Sequence, residues 1–334
     1  MKKKLILFLC FVLGLVTVSE AQIFGDLGSN RVATSSFQFL KIGVGAREVA
    51  LAETGISLTS DANSIFWNPG HIAFLPSYST SFSYNRWYAD INQTTLATVY
   101  RLEEIGSFGF SLNYLSTEAM ERRTTLQPYG TGEKFNYYDL AAGLTYARQM
   151  TTQFTFGITA KYIREQLAEV NFSAVAIDLG MTYILDENDT RLSIALMNFG
   201  GRHKPSGKAT PPDTQPVDAY QEYQTPSNFR LGMSKFLFKT EDHDILGAVQ
   251  LNHPNDGAEN YSFGIEYGYM KLIYLRTGMK LNVDGQEIPS FGIGLNKTLY
   301  AFDLKVDYAA SYIDPLGYAH RFTLGISLPE GDLR

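Results

Sequence analysis

The chain has 334 residues, a formal net charge of −6, 13% aromatic residues and a single cysteine, Cys10. The acidic balance leaves no basic stripe for a phosphate backbone, which excludes a nucleic-acid partner. With its one thiol near the N terminus, the body of the protein can form neither a disulfide nor a thiolate metal site.

Lys2, Lys3 and Lys4 precede an apolar run from Leu5 to Val18, and Ser19-Glu20-Ala21 offers a small-x-small cleavage site before Gln22. This is the pattern of a secretory signal peptide over 1–21. Too little apolar sequence precedes Cys10 for a lipoprotein leader. Beyond the leader no run reaches the 18 or so apolar residues of a spanning helix, so any membrane crossing must be made by strands.

Residues 22–76 do not alternate between apolar and polar. They carry two Gly-rich apolar stretches, Phe39 to Ala52 and Asp61 to Gly70, with Phe37, Phe66, Trp67 and Phe74 to bury. Polar tails do not look like this, and the segment is expected to fold as a plug inside a lumen. Asp61 is placed to cap a short helix that Pro69 and Gly70 would stop.

From Ser77 to Leu328 about fourteen segments alternate residue by residue. They are expected at 77–87, 91–101, 105–116, 134–148, 153–164, 172–185, 190–198, 227–238, 243–252, 260–269, 271–281, 289–297, 300–311 and 319–328. Phe108, Phe110, Leu112 and Tyr114 oppose Ser107, Gly109, Ser111 and Asn113. Val175, Ile177, Leu179 and Met181 oppose Ala176, Asp178, Gly180 and Thr182, and Phe322, Leu324, Ile326 and Leu328 oppose Arg321, Thr323, Gly325 and Ser327. Each strand therefore has one apolar and one wet face. A soluble all-β protein also alternates. Against it stand segment lengths of about nine to eleven residues, those of a tilted spanning strand, and charge kept off the apolar face, where a lipid-facing Arg or Lys costs roughly 2–4 kcal/mol. Tyrosines near segment ends, at Tyr84, Tyr88, Tyr100, Tyr137, Tyr138, Tyr183, Tyr269, Tyr300 and Tyr312, fit an aromatic girdle. The expected fold is all-β, a transmembrane antiparallel barrel of about 14 strands over 77–328 in a bacterial outer membrane, with a partly helical plug over 22–76 and a periplasmic tail at 329–334.

Connectors alternate in length. Tight turns are expected around Glu103-Glu104, Thr151, Asp186 to Asp189, Thr240, Tyr269 to Lys271 and Thr298. Longer exterior loops are expected at 117–133, 165–171, 199–226, 253–259, 282–288 and 312–318, with only the loop near Ala89 short. Loop 199–226 is stiffened by Pro205, Pro211, Pro212 and Pro216, which suits a protein contact or a solvated variable loop equally. The wet faces carry Arg230, Glu266, Arg276, Lys280, Asp303, Lys305, Asp307 and Arg321. A single-sign ring would signal ion selectivity. This mixture signals a lumen closed by ion pairs to itself and to the plug, with Arg47 expected to meet Asp303 or Asp307.

Phe39, Leu40, Gly43, Gly45, Ala46, Arg47, Ala50 and Leu51, followed by Asp61, Ala62, Trp67, Asn68 and Pro69, match the F-L-x-x-G-x-G-A-R-x-x-A-L and D-A-x-x-x-x-W-N-P-A-G pattern of the PorV/PorQ family. The chain resembles that family, within the wider FadL-type outer-membrane barrels. Gly70 and His71 stand where the family has Ala and Gly, and the last strand lacks the common terminal aromatic. The resemblance is confined to 37–76 in motif and is architectural elsewhere. It implies fourteen strands with an N-terminal hatch.

Five histidines, His71, His203, His243, His253 and His320, show no metal-ligand spacing, and no G-x-S-x-G elbow or Walker loop is present. No enzyme activity, metal or cofactor is expected. Asp303, Asp307 and His320 could be assembled into a hydrolase, but mixed charge is the ordinary filling of a wet barrel. Two functional readings remain. The resemblance implies a type IX secretion component that binds exported proteins through their C-terminal domains, together with other secretion components, by its exterior loops. The alternative is a FadL-like transporter of fatty acids or other hydrophobic small molecules, with a greasy lumen floor near Phe66, Trp67 and Phe74. Outer-membrane lipid is a partner in both, and a structural barrel without cargo stays open as a third.

Overall fold

The computed structural model describes residues 35–58, 61–186, 189–207, 220–300 and 302–328. The leader with Cys10, residues 22–34, the prolines Pro211, Pro212 and Pro216, and the 329–334 tail lie outside them.

Fourteen strands wind antiparallel in chain order: β1 (Tyr78–Arg86), β2 (Asn92–Leu102), β3 (Gly106–Ser116), β4 (Tyr137–Gln149), β5 (Phe154–Leu167), β6 (Val170–Ile184), β7 (Arg191–Gly200), β8 (Asn228–Lys239), β9 (His243–Pro254), β10 (Asn260–Tyr269), β11 (Ile273–Leu281), β12 (Ser290–Leu299), β13 (Phe302–Ile313) and β14 (Gly317–Leu328). β1 pairs with β14 from Tyr78↔Leu328 to Arg86↔His320, which closes the barrel and leaves no sheet edge. Both barrel termini thus lie at the short-turn end, which is the periplasmic end in barrels of this kind.

The alternation turns the usual protein inside out. Phe110, Phe322 and Leu324 are exposed on the outer face, whereas Ser81, Ser111, Thr323 and Arg321 are buried within. The outer residues meet lipid, where apolar contact is neutral and charge is costly. Two girdle tyrosines depart from expectation. Tyr88 is buried at the rim, and Tyr137 turns inward to donate to Asp139 at 2.5 Å.

Two expected exterior loops are also shorter than anticipated. β5 and β6 run to Leu167 and Val170, so 165–171 collapses to the two-residue link Ala168-Glu169. Arg164, Glu165 and Gln166 keep pairing past the span a bilayer requires, because a hairpin in water gains from each ladder bond it completes. Similarly, 312–318 reduces to Asp314–Leu316. The 117–136 loop instead gains a small ribbon, Met120–Glu121 against Lys134–Phe135.

The plug runs through the lumen as short turns of helix: Gln38–Lys41, Ala46–Ala50, Gly55–Ser57, Ala62–Phe66 and Pro69–Phe74. Asp61 caps the fourth by accepting from Asn63 N at 2.9 Å. Pro69 does not stop the chain but begins the fifth turn. Its fixed φ suits the first helical position, and Asn68 Oδ1 caps that turn by accepting from Gly70 N at 2.9 Å. Trp67 is 2% exposed and donates Nε1–H to Val44 O at 2.9 Å, tying the two motif stretches together.

Candidate functional site

The plug meets the wall on three kinds of contact. The first is a paving of inward glycines. A Cβ at Gly157 would lie 2.4 Å from the carbonyl carbon of Pro69, and one at Gly180 would lie 2.1 Å from Asn68 Oδ1. Gly109 faces Ile65, Gly232 faces Ile56, Gly278 faces the backbone of Leu51 and Gly292 faces Ala50. Only the missing side chain lets the plug backbone approach this closely. Asn68 Nδ2 then donates to Thr182 Oγ1 at 3.0 Å and to Met181 O at 3.2 Å, fixing the Asn-Pro turn to β6.

The second is a buried chain of charges on the periplasmic side. Arg47 donates from Nε and Nη2 to Glu266, each at 2.8 Å, and from Nη1 to Leu58 O. Arg276 donates to the same carboxylate at 2.5 Å and to Asp307. Arg47 thus meets Glu266, whereas the sequence placed Asp303 or Asp307 beside it. Asp307 is reached only through Arg276. Asp303, half-buried at the periplasmic end of β13, accepts from Thr298 Oγ1 at 2.6 Å. A bidentate fork is the geometry that a guanidinium offers a carboxylate, and Glu266 presents both oxygens at the depth of Arg47. Lys305 lines a polar chamber of about 190 Å³ beside this chain. Lys280 reaches up to Glu53 of the plug at 2.8 Å. Arg230 and Arg321 lie over Trp67 and Trp87, each 5.0 Å from the ring centroid.

The third contact ties the plug's start to the extracellular loops. Asp256, between β9 and β10, accepts from Lys41 Nζ and Gln38 Nε2, both at 2.9 Å, and from Ser35 Oγ. Ser35 bridges Gln224 in parallel, and Phe37 stacks on His203 at 4.7 Å. The described part of loop 199–226 therefore folds down onto the plug, with Ser206–Gly207 pairing to β6. Sequence reading missed Asp256, His203 and Glu53. None lies in a motif, and each acquires its role only when distant loops converge.

Burial pushes the Asp256 carboxyl up, but hydrogen bonds from Gln38, Ser35 and Lys41 more than reverse this and hold it below the usual range. A depressed carboxyl contributes stability above its unfolded value of about 4 and loses it as pH falls through the folded value. Protection of the amides of residues 38–41, measured as exchange relative to the intrinsic rate at each pH, is expected to be high at neutral pH and to fall below about pH 4. In Asp256→Asn protection should be low throughout, and high protection at neutral pH in the variant would refute the latch.

Set against known proteins, residues 26–253 match the family described as "Type IX secretion system protein PorV". The chain belongs to the PorV family. No curated protein sequence matches it. Among solved structures, this PorV-family barrel resembles the Pseudomonas putida toluene transporter TodX at 14% identity and a TM-score of 0.54, covering 85% of this chain and 97% of that one. It resembles the Ralstonia pickettii toluene transporter TbuX at 12% and 0.53 with the same coverage, and the CymD monoaromatic hydrocarbon channel at 12% and 0.51, covering 85% and 96%. At such identity the likeness is one of fold: a closed 14-stranded outer-membrane barrel of FadL type with few helices.

Proposed function

We propose that this PorV-family barrel binds exported proteins, through their C-terminal domains, at its extracellular rim and does not pass them through its lumen. The supporting observation is that the plug is fastened to the wall at both ends of the lumen, by Glu266 below and Asp256 above. A protein partner is left with the rim. There Leu126 and Tyr129 of the 117–136 loop stand 85% and 95% exposed. Beside the same loop an open cleft of about 750 Å³ lies between Lys134–Asn136 and the β5–β6 hairpin. An exposed aromatic on the loop that also walls a concave surface offers the composition of an interface anchor. Affinity purification from the native outer membrane in mild detergent is expected to recover secreted proteins and partner barrels. Tyr129→Ala should lower that recovery about tenfold, the effect of losing one anchor worth roughly 1.4 kcal/mol. Equal recovery from the variant would remove the rim from the reading.

The second reading rests on the fold shared with hydrocarbon channels. The cavity beside Trp67 measures about 40 Å³ and is lined in part by Lys161, Asp178 and Arg230. Small-molecule pockets run to about 300 Å³ and more and are mostly apolar. Transport of a hydrophobic molecule would therefore require the plug to move, and a fatty acid or hydrocarbon co-purifying with the barrel would favour it. The 1–21 segment is proposed as the cleaved Sec signal. N-terminal sequencing of the outer-membrane form should begin at Gln22.

A further inference from the structure

Both tryptophans of this chain carry a buried arginine on their face, but the two arginines differ in how their N–H groups are satisfied. Arg321 donates from Nη1 to Ser311 Oγ at 3.0 Å and, of its buried nitrogens, leaves only Nε without an acceptor among the described residues. Arg230 is only 9% exposed, and its Nε and Nη1 have no hydrogen-bond acceptor among the described residues. Its side chain lines the cavity of about 40 Å³ next to Trp67.

The other charges around that cavity do not neutralise it. Lys161 is paired with Asp178 at 2.8 Å and also donates to Asn198. Lys41, at the upper edge, is paired with Asp256 at 2.9 Å. Among the lining residues two matched pairs leave one surplus positive charge, that of Arg230, and Glu53, whose charge also reaches Arg230, is itself paired with Lys280 at 2.8 Å. The ring of Trp67 offsets part of its burial, since a cation over an indole gains roughly 0.5–2 kcal/mol. A ring face accepts nothing from in-plane N–H groups, however, and buried donors without acceptors are costly. The cavity has room for only a few water-sized spheres, each needing about 10–15 Å³.

We propose that this cavity is a binding site for one small inorganic anion of halide size, held by Arg230 with Lys161 beside it. Such an ion would accept from the orphaned guanidinium N–H groups and cancel the surplus charge, locking the Trp67 end of the plug to β8. This site is independent of the rim and of any cargo.

The test uses the full-length protein in mild detergent, with unfolding followed in sodium chloride and in sodium gluconate at equal ionic strength. Gluconate is too large for the cavity. The midpoint is expected to be higher in chloride and to saturate with its concentration, and Arg230→Gln should lose the difference. Equal midpoints in the two salts for the natural sequence would overturn the proposal. Crystals of the natural sequence grown in bromide provide a second measurement that does not depend on the variant folding. An anomalous peak within hydrogen-bonding distance of Arg230 is expected, and a cavity without one overturns the proposal whatever the salt dependence.

Discussion

Glu266→Ala is expected to destabilise the seated plug by about 3–5 kcal/mol, because it removes the one carboxylate shared by two buried guanidinium groups. Glu266 accepts from Arg47 on the plug and from Arg276 on β11, and Arg276 in turn holds Asp307 on β13. The side chains of Arg276, Glu266 and Asp307 are each at most 4% exposed, so bulk solvent does not reach them, and water in the adjoining chamber of about 190 Å³ would bring no negative charge to replace the lost carboxylate. With the carboxylate gone, two positive charges face one another across the site of the missing group, relieved by Asp307 and in part by Glu48 and Asp61 of the plug. The lower half of the plug should then loosen while the outer face of the barrel, which these residues never touch, assembles normally. Proteolysis of the plug in the assembled barrel measures this directly. Asp303→Asn is the matched control, because Asp303 is half-buried at the periplasmic end and bonded only to its neighbour Thr298. If both variants left the plug equally protected, the charge chain would not be what fastens it.

The barrel was open to reading in the sequence because a membrane imposes a rule on every residue of every strand. Phe108, Phe110, Leu112 and Tyr114 had to share one face, and they do. The partners inside the barrel follow no such rule. Arg47 was visible as a buried cation in a motif, but its choice of Glu266 over Asp307 depends on the stagger between β10 and β13. That stagger is set by the pairing registers of the two intervening strands and the three connections between them, not by local spacing. The loops were misjudged for a related reason. The 165–171 segment is polar enough for a loop, and polar residues pair equally well in a hairpin that has already left the bilayer. The inward glycines were present in the alternation, with Gly109 and Gly180 on the wet face, but a missing side chain shows its purpose only when something is found against it.

That purpose yields the second large expected effect. In Gly157→Val the first added carbon would fall 2.4 Å from the carbonyl carbon and 2.5 Å from the oxygen of Pro69, and 2.6 Å from Gly70 N. All three are backbone atoms of the Asn-Pro turn and cannot rotate aside as a side chain would. Asn68 is itself pinned to Thr182 and Met181 of β6, so the turn cannot retreat without breaking those bonds. The cost should reach the upper end of the roughly 1–3 kcal/mol seen for overpacked cores, or exceed it. It should appear as an unseated plug and not as a failed barrel, since valine favours a strand. Single-channel conductance in a planar bilayer should rise from a closed baseline to frequent openings. Gly325→Ala supplies the comparison: it also faces the lumen, yet its added carbon would meet nothing nearer than Lys305 Cβ at 3.5 Å, an ordinary contact. A conducting Gly325→Ala barrel, or a silent Gly157→Val one, would mean that the close approach at Pro69 is not what seals the lumen.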